Sequence, residues 1–438
     1  MKKNLLIVLA LFSFQICSAQ YEVKVYAGTG VAGLKNGALL EANFRHPFGI
    51  CIDAVGNLYM ADNENNCIRK IGVDGKVATF AGSSTKGFKD GNVAQALFAG
   101  PTALCFDLDS NLLVTDFENQ RIRKISKQGI VSTIAGTGIA GFKDTIASFA
   151  QFNYPRGICV DTKGNIYIGD SWNHRIRKID LNNKVSTFAG GGDTIGVQSK
   201  GNYIDAKGPN ARFYTPCEIK IAPNNTIYVA DAFNHRIRKI DSSSNVTTIA
   251  GSGASGNNAG GFFDGRNLEA RFNTPTTLYL DSNLDIYLGD GANHRVRKIS
   301  KDSVSTFAGT GDAGMDDGPA DLSTFNFPRG IVKNKNGEMF VVDYNNHSIR
   351  KISVLKTIGI GQESISKISI SPNPFQTKII VDMPIQSRYS IFSVEGRLLS
   401  WGECALGKNE IDLNFLSKGL YLIRFHELNV SRQLIKQF

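Results

Sequence analysis

The sequence predicts an all-β protein in which a six-bladed β-propeller is followed by a small C-terminal β-sandwich. Six units repeat with a period of 53 to 61 residues. Each unit contains four short segments rich in β-branched and aromatic residues, and Gly, Asn or Asp bounds each segment. After Gly361 the period ends, and short apolar runs alternate with turn residues up to the C-terminus.

The repeat unit has the pattern of a four-stranded antiparallel meander. Its third copy reads YPRGICVD, GNIYIGD, SWNHRIRKID and NKVSTFAG, with a D-x-x-G-N turn signal between the first two segments. Ile158, Cys159 and Val160 are consecutive apolar residues, so both faces of their strand must be covered. Stacking blades around an axis covers both faces, which favours a propeller over an open solenoid. The first segments of the units begin at Pro47, Pro101, Pro155, Pro216, Pro275 and Pro328.

The fourth segment occurs once more than the other three. Its extra N-terminal copy, Glu22–Gly28, reads EVKVYAG and predicts a strand that pairs into the last blade and joins the ends of the ring. A degenerate C-terminal copy, SVLKTIGIG, competes for the same position. The sequence leaves open which of the two closes the propeller.

Units of the form P-x-G-I-x-x-D-x-x-G-N-I-Y-x-x-D-x-x-N-H-R-I-R-K-I resemble the NHL repeat family of six-bladed propellers. The resemblance covers about residues 22–361 and implies a propeller domain over residues 20–361. Two units depart from the family's Asn-His: the first has Asn65-Asn66-Cys67, and the second has Asn119-Gln120-Arg121. A role that requires a histidine in every blade is therefore not expected.

The N-terminal residues predict an export signal. Residues 1–19 combine a basic start, an apolar run and small residues before a cleavage site between Ala19 and Gln20. The apolar run is about half as long as a membrane-spanning helix, and no later run reaches the required length. We therefore expect no transmembrane segment in the mature protein.

Residues 362–438 resemble the C-terminal sorting domain of the type IX secretion system of certain Gram-negative bacteria. The resemblance implies an immunoglobulin-like β-sandwich that the secretion machinery recognises, and a protein that is secreted or held on the outer-membrane cell surface. An ordinary accessory sandwich is the alternative. The residues that carry the resemblance are Pro372, Asn373, Pro374, Gly396, Gly419, Tyr421 and Lys436.

The formal charge of +10 does not by itself indicate a nucleic-acid partner. Much of the excess recurs as an Arg-Lys pair in each unit, which is typical of a solvated or paired face. Together with the predicted export, this pattern excludes nucleic acid as an expected partner. Cys51, Cys105 and Cys159 each lie four residues after a unit's first proline, and we predict that they are buried free thiols.

Two sets of polar residues recur too regularly to form a single active site. An Asp ends every second segment and an Arg follows in every third segment, which predicts scaffold pairs across a hairpin. The predicted pairs are Asp62–Arg69, Asp116–Arg123, Asp170–Arg177, Asp231–Arg238, Asp290–Arg297 and Asp343–Arg350. Because equivalent positions in a propeller are well separated, His174, His235, His294 and His347 are predicted to stabilise turns or join blades rather than to bind one metal ion. No catalytic residue, metal ligand or cofactor is predicted.

Function is expected where the units stop agreeing, beside the prolines at the channel mouth and in the segments that lead into each blade. Aromatic and Arg side chains are mixed there, which favours a binding surface, with simple loop packing as the alternative. The predicted surface residues are His46, Phe48, Tyr154, Arg156, Tyr214, Glu218, Phe327 and Arg329.

These features predict a binding or adhesion module for an extracellular protein or glycan. The alternative is an extracellular enzyme, a hydrolase, lactonase or lyase, with its active site at the central channel. Propeller active sites are assembled from single residues on different blades, so the lack of a catalytic motif does not exclude an enzyme. The zinc histidines of the amidating lyases, which are six-bladed relatives, have no residue-by-residue match in this chain.

Overall fold

In a computed structural model of the chain, the described residues are 21–191, 201–255, 259–354, 368–393, 398–426, 428 and 430–437. The predicted signal peptide with Ala19 and Gln20, and Gly396 of the predicted sorting motif, lie outside the described residues. Two compact units are present, one spanning Glu22–Ser353 and one formed by C-terminal residues from Val354 onward. The predicted boundary between residues 361 and 362 also lies outside the described residues.

The first unit is a propeller of six antiparallel sheets. Each sheet's first strand contacts the first strands of both neighbouring sheets, and the sixth contacts the first, which closes a ring around a central channel. The ladder to the second strand shifts register just after each proline, which has no N–H to donate. The first strands are Pro47–Ile52, Pro101–Phe106, Pro155–Val160, Pro216–Ile221, Pro275–Leu280 and Pro328–Lys333.

The second and third strands form the buried middle of each blade. Their apolar residues pack against the next blade, so that Ile168, Ile176 and Ile237 are inaccessible to solvent. The second strands are Leu58–Asp62, Leu112–Asp116, Ile166–Asp170, Ile227–Asp231, Ile286–Asp290 and Met339–Asp343. The third strands are Cys67–Ile71, Arg121–Ile125, Arg175–Ile179, Arg236–Ile240, Arg295–Ile299 and Ser348–Val354.

The fourth strands lie outside the third, and two-residue edge strands extend four of the blades. The fourth strands of blades one to five are Lys76–Gly82, Ile130–Ala135, Val185–Ala189, Val246–Ala250 and Ser303–Ala308. The edge strands are Gly37–Ala38, Gly91–Asn92, Gly265–Arg266 and Gly318–Pro319.

The N-terminal strand, Tyr21–Ala27, closes the ring as the fourth strand of blade six. It lies between the third strand of that blade and the edge strand Gly318–Pro319, with Glu22 opposite Pro319. Val23 and Ala27 are fully buried by this pairing. The N-terminal copy of the fourth segment therefore occupies the closing position that the sequence left open.

Nine 3-10 helices of three residues occur among the described residues. Six of them form the turn between the second and third strands, and each ends at a residue in the left-handed region. These six are Asn63–Asn65, Phe117–Asn119, Ser171–Asn173, Ala232–Asn234, Gly291–Asn293 and Tyr344–Asn346. The others are Leu39–Glu41, Ala147–Phe149 and Gly208–Asn210.

The C-terminal unit is a β-sandwich of two antiparallel sheets. Alternating burial along Lys378–Met383 places Ile379 and Val381 in a core that also contains Ile391 and Leu434. The three-stranded sheet contains Ser369–Ser371, Lys378–Met383 and Gly407–Asp412. The four-stranded sheet contains Leu398–Cys404, Ser387–Ser393, Gly419–Phe425 and Val430–Lys436.

The described cysteines form no disulfide. Cys51 and Cys159 are buried, as predicted, whereas Cys105 is only partly buried. Within the described ranges, no helix is long and apolar enough to cross a membrane.

We expect Val23→Asp to destabilise the propeller, because it places a carboxylate without a partner in the closing strand. The expected loss of unfolding free energy is about 3 kcal/mol or more, measured by urea denaturation. The control is Lys24→Asp at the exposed neighbouring position, for which we expect a loss below about 1 kcal/mol. Equal losses in the two variants would contradict this role for the N-terminal strand.

Candidate functional site

Each blade contains a buried Asp–Arg pair at the positions that the sequence pattern indicates. The Arg Nη1 atoms lie 2.5 to 3.1 Å from the Asp Oδ2 atoms, and all twelve side chains are inaccessible to solvent. A buried Phe lies under each guanidinium group at 5.0 to 5.3 Å. Because each ion pair is enclosed and also stacked on a ring, it contributes to the interior of the blade rather than to a solvent-facing site.

The same arginines hold the segment that enters each blade. In blade three, Arg177 donates to the backbone carbonyls of Gln151 and Lys143 and to the carboxylate of Asp144. The equivalent of Asp144 is Asn36 in blade one, where Arg69 donates to an amide oxygen. This second partner was not predicted from the sequence. Its signal is an Asp or Asn that precedes the Arg by 33 residues in every unit.

The histidines of the repeat join neighbouring blades. Nδ1 of His294, for example, accepts the backbone N–H of Phe327, which precedes the first strand of the next blade. The other histidines accept in the same way, and Asn66 and Gln120 do so through their side-chain oxygens. The acceptor and donor pairs are Asn66–Gly100, Gln120–Tyr154, His174–Thr215, His235–Thr274, His294–Phe327 and His347–His46.

These interblade bonds require an uncharged ring. A backbone N–H can only donate, so Nδ1 must carry no proton when it accepts. Burial lowers the pKa of His294, and the charge of Arg295 lowers it further. Burial also lowers the pKa of His347, with His46 as the next cause. The histidines are thus structural acceptors, and His294 and His347 resist protonation.

At the channel mouth, the residue after each proline differs from blade to blade. Arg156 and Arg329, which we call the mouth arginines, occupy this position in blades three and six. Phe48 occupies it in blade one, and both guanidinium groups lie over its ring, at 5.8 Å for Arg156 and 4.0 Å for Arg329. The structure therefore brings together three of the predicted surface residues.

Three aromatic pairs lie beside the prolines at the same end of the blades as the mouth arginines, and we call these six side chains the aromatic rim. Each pair joins a residue before a proline to a residue of the turn between second and third strands. The pairs are Tyr154–Trp172, Tyr214–Phe233 and Phe327–Tyr344, with ring centroids 4.3, 5.3 and 6.3 Å apart. Trp172 is 37% exposed, so the rim presents an aromatic surface to solvent. Trp172, Phe233 and Tyr344 were not predicted as surface residues.

Two predicted surface residues have other partners. Glu218 is only 6% exposed, and its Oε1 lies 2.9 Å from Nζ of Lys220, inside the channel. Burial raises the pKa of Glu218. Nδ1 of His46 lies 2.9 Å from Oε1 of Glu64, and the His46 ring packs against His347. Neither residue contacts the mouth arginines through an ion pair or a hydrogen bond.

A cavity of about 530 Å³ lies between blades one and two, at the end of the blades opposite to the channel mouth. Its lining is mostly apolar and includes Tyr59, Phe80 and Phe106. The carboxylate of Asp53, which also lines it, accepts hydrogen bonds within its own turn from Gly56 and Asn57. Because its carboxylate is already satisfied and Lys127 is its one cationic lining residue, this cavity offers less for recognition than the mouth.

The described part of the chain contains no group of three or more His, Cys, Asp or Glu side chains that could hold a metal ion. The mouth instead combines cations with aromatic faces. Such a combination can bind a ligand that carries both an anionic group and an apolar face.

Two family models match the chain. Residues 152–179 match the NHL repeat, and residues 369–437 match the secretion system C-terminal sorting domain. The second match agrees with the sorting domain that the sequence predicts, and it indicates a protein that is secreted or displayed at the cell surface.

Curated relatives share the repeat region. The chain is 31% identical over 287 residues to protein SUPPRESSOR OF QUENCHING 1, chloroplastic, of Arabidopsis thaliana, covering 62% of this chain and 26% of that protein. It is 27% identical over 339 residues to human NHL repeat-containing protein 2, covering 69% of this chain and 46% of that protein. The chain thus spans less than half the length of either relative.

Solved structures share the fold. An auxiliary nutrient binding protein from Bacteroides thetaiotaomicron superposes with a TM-score of 0.58 at 18% identity, covering 76% of each chain. An auxiliary nutrient binding protein from Bacteroides ovatus gives the same TM-score at 17% identity, covering 77% of each chain. At these identities the likeness establishes the propeller fold alone.

We expect Arg123→Met to destabilise the protein by about 3–5 kcal/mol, because it leaves the buried Asp116 carboxylate without its cation. Urea denaturation of the full chain measures this loss. Lys127→Met is the matched control, since Lys127 is exposed on the turn after the same strand. A loss as small as that of the control would show that the buried pair is dispensable.

His294 and His347 predict a stability that decreases as the pH is lowered. Their folded pKa values lie below the unfolded value of about 6.5. Below that pH the unfolded chain binds protons that the folded chain excludes, so the unfolding free energy should decrease from pH 7.5 to 5. His294→Gln, which copies the acceptor of blade two, should keep most of the stability and weaken this dependence.

His294→Leu is the companion variant, and it should cost about 1–3 kcal/mol at pH 7.5 because the N–H of Phe327 loses its acceptor. Urea denaturation at several pH values measures both effects. If the Gln and Leu variants were equally stable at pH 7.5, the acceptor role would be wrong.

Proposed function

We propose that this protein, an NHL-repeat propeller with a secretion sorting domain at its C-terminus, binds a glycan or protein ligand outside the cell at the mouth of its central channel. The observation that carries the proposal is the meeting of Arg156 and Arg329 over Phe48, inside the aromatic rim. These residues stand at positions where the six units differ, so the scaffold does not account for them.

The chemistry of the mouth favours recognition. Aromatic side chains provide large contact areas with little loss of conformational entropy, and Arg provides directional donors. Tyr154 and Trp172 lie at a centroid distance of 4.3 Å, and Phe117 continues this surface to Arg156. A ligand seated here would contact several blades, which is how propellers build a single site from repeated units.

The structural neighbours add general support for a binding role. Two of them are auxiliary nutrient binding proteins, and they share the propeller with this chain. Within the proposal, we favour a glycan over a protein, because the continuous aromatic surface suits the apolar faces of sugar rings.

The sorting domain supports action outside the cell. Within it, Asn373 and Lys436 tie the ends of the sandwich together: Nδ2 of Asn373 donates to the carbonyl of Gln433, and Nζ of Lys436 donates to the carbonyl of Leu413. The Tyr421 hydroxyl donates to the carbonyl of Ser417. We infer that Pro372, Pro374 and Gly419 complete the surface that the type IX machinery recognises, and that the propeller acts at the outer-membrane surface or in the medium.

The two tryptophans of the chain provide a direct test of binding at the mouth. Trp172 belongs to the aromatic rim, and Trp401 is an exposed residue of the C-terminal unit. We expect Trp172→Ala to reduce binding of the full chain to its ligand on a glycan and surface-protein array by about tenfold, because stacking area is lost. Trp401→Ala is the matched control and should bind like the unchanged protein.

Two results would reject the proposal. One is failure of the unchanged protein to bind any glycan or surface protein on the array. The other is an equal loss of binding in the Trp172 and Trp401 variants, which would remove the link between binding and the channel mouth.

A further inference from the structure

We propose that the mouth arginines bind an oxyanion of the ligand, and that this ligand is an acidic glycan carrying carboxylate or sulfate groups. This inference rests on the proposed function, since it assigns a chemical class to the ligand of the same site. It goes further because it gives Arg156 and Arg329 separate roles from those of the aromatic rim.

Buried donors without partners are the first observation. Nε of Arg156 and both Nε and Nη1 of Arg329 are inaccessible to solvent and have no hydrogen-bond partner among the described residues. Buried polar groups are normally paired, because an unpaired one destabilises the protein. An oxyanion supplies several acceptor lone pairs to such donors at once.

The arginines of the buried Asp–Arg pairs have a carboxylate partner, which the mouth arginines lack. Arg69 and Arg350 also have an Nε without a partner, but each lies beside a buried carboxylate, at 2.8 Å from Asp62 and 3.1 Å from Asp343. Neither mouth arginine forms an ion pair with a described carboxylate. Their charges are therefore uncompensated within the part of the chain that the structure describes.

The two charges also act on each other. Burial lowers the pKa of Arg329 to about 10, with the charge of Arg156 as the next cause. Arg329 remains cationic at neutral pH, because this pKa is still well above 7. Like charges held in one enclosed place repel, and an anion bound between them converts that repulsion into two attractions.

The aromatic neighbours contact the mouth arginines without accepting hydrogen bonds from these donors. Phe48 and Tyr344 lie against the Arg329 guanidinium group at 4.0 and 4.2 Å, and Phe117 lies 5.0 Å from that of Arg156. A guanidinium group stacks through its face, whereas its N–H groups lie in its plane. Nη1 of Arg156 donates to Sγ of Cys217 at 3.3 Å, whereas Nε of Arg156 and Nε and Nη1 of Arg329 have no partner among the described residues and can donate to an anion.

The surroundings distinguish an acidic glycan from a strongly acidic peptide. The corresponding positions after the prolines in blades two, four and five are Thr102, Cys217 and Thr276, all without a cationic side chain. A peptide with many carboxylates would meet only the two mouth arginines. A sugar ring with one carboxylate or sulfate uses these cations for the anion and the aromatic rim for the ring.

The test uses the full chain carrying Trp401→Phe, so that Trp172 is its single tryptophan and its fluorescence reports binding. The probes are a uronic-acid oligosaccharide, a sulfated oligosaccharide, the neutral oligosaccharide of the same length and an acidic peptide. We expect one acidic oligosaccharide to bind at least about tenfold more tightly than the neutral one. The two acidic probes identify which oxyanion the site prefers.

Arg156→Met and Arg329→Met should each remove most of this tenfold preference, because they weaken binding of the acidic oligosaccharide more than binding of the neutral one. Arg266→Met is the matched control, because Arg266 is an exposed arginine on an edge strand. The oxyanion assignment would be overturned if acidic and neutral probes bound equally to the protein with both mouth arginines. It would also be overturned if the preference survived both Met substitutions. Tighter binding of the acidic peptide than of every oligosaccharide would overturn the glycan assignment.

Inorganic sulfate provides a second measurement that does not depend on the glycan. It should raise the melting temperature of the protein with both mouth arginines more than that of either Met variant, since a ligand that binds only the folded state stabilises it. Equal shifts in all three proteins would contradict an anion site. Failure of every oligosaccharide and protein ligand to bind, with no change on Trp172→Ala, would instead reject the proposed function.

Discussion

The buried Asp–Arg pair is the interaction on which the remaining structure depends. In blade three, Oδ2 of Asp170 accepts a hydrogen bond from Nη1 of Arg177, and Oδ1 accepts one from the backbone N–H of Asn153. Arg177 in turn binds carbonyls of the segment that enters the blade. One ion pair therefore fixes the third strand, the end of the second strand and the residues just before Pro155, the first residue of the same blade. Without this constraint, the segments beside the channel would have no defined path.

The interblade acceptors extend that constraint around the ring. The residues before the prolines adopt positive φ values, from 45° at His46 to 62° at Phe327, and side chains other than Gly disfavour this region. The hydrogen bond from the preceding blade supports that conformation. This position needs only a side-chain acceptor within hydrogen-bonding distance of the next blade's N–H. Asn66 and Gln120 therefore replace His without loss of the interblade hydrogen bond. This explains why the first two units can lack the histidine of the Asn-His pattern.

Most of the fold could be predicted because it repeats, whereas the details that were missed depend on geometry within single units. Two similar copies of the fourth segment left the closure open, and pairing of Val23 beside Gly318 decides it. Glu218 was placed at the mouth because it stands near a proline, but it lies two residues after Pro216 and the mouth arginines lie one residue after theirs. The ladder shifts register between Pro216 and Ile219, so the position after the proline does not fix the direction of the side chain, and the Glu218 carboxylate pairs with Lys220.

The scaffold also explains why two arginines without carboxylate partners persist at the mouth. Removing carboxylates from any of the six buried pairs would disturb a whole blade, whereas the position after each proline makes no contact that the repeat requires. Side chains there are free to differ, as Thr102 and Arg156 do in successive blades. Buried donors without a partner raise the gain from binding an anion, because the ligand supplies the acceptors that the protein does not. The fold tolerates this local cost because its interblade and intrablade bonds lie elsewhere.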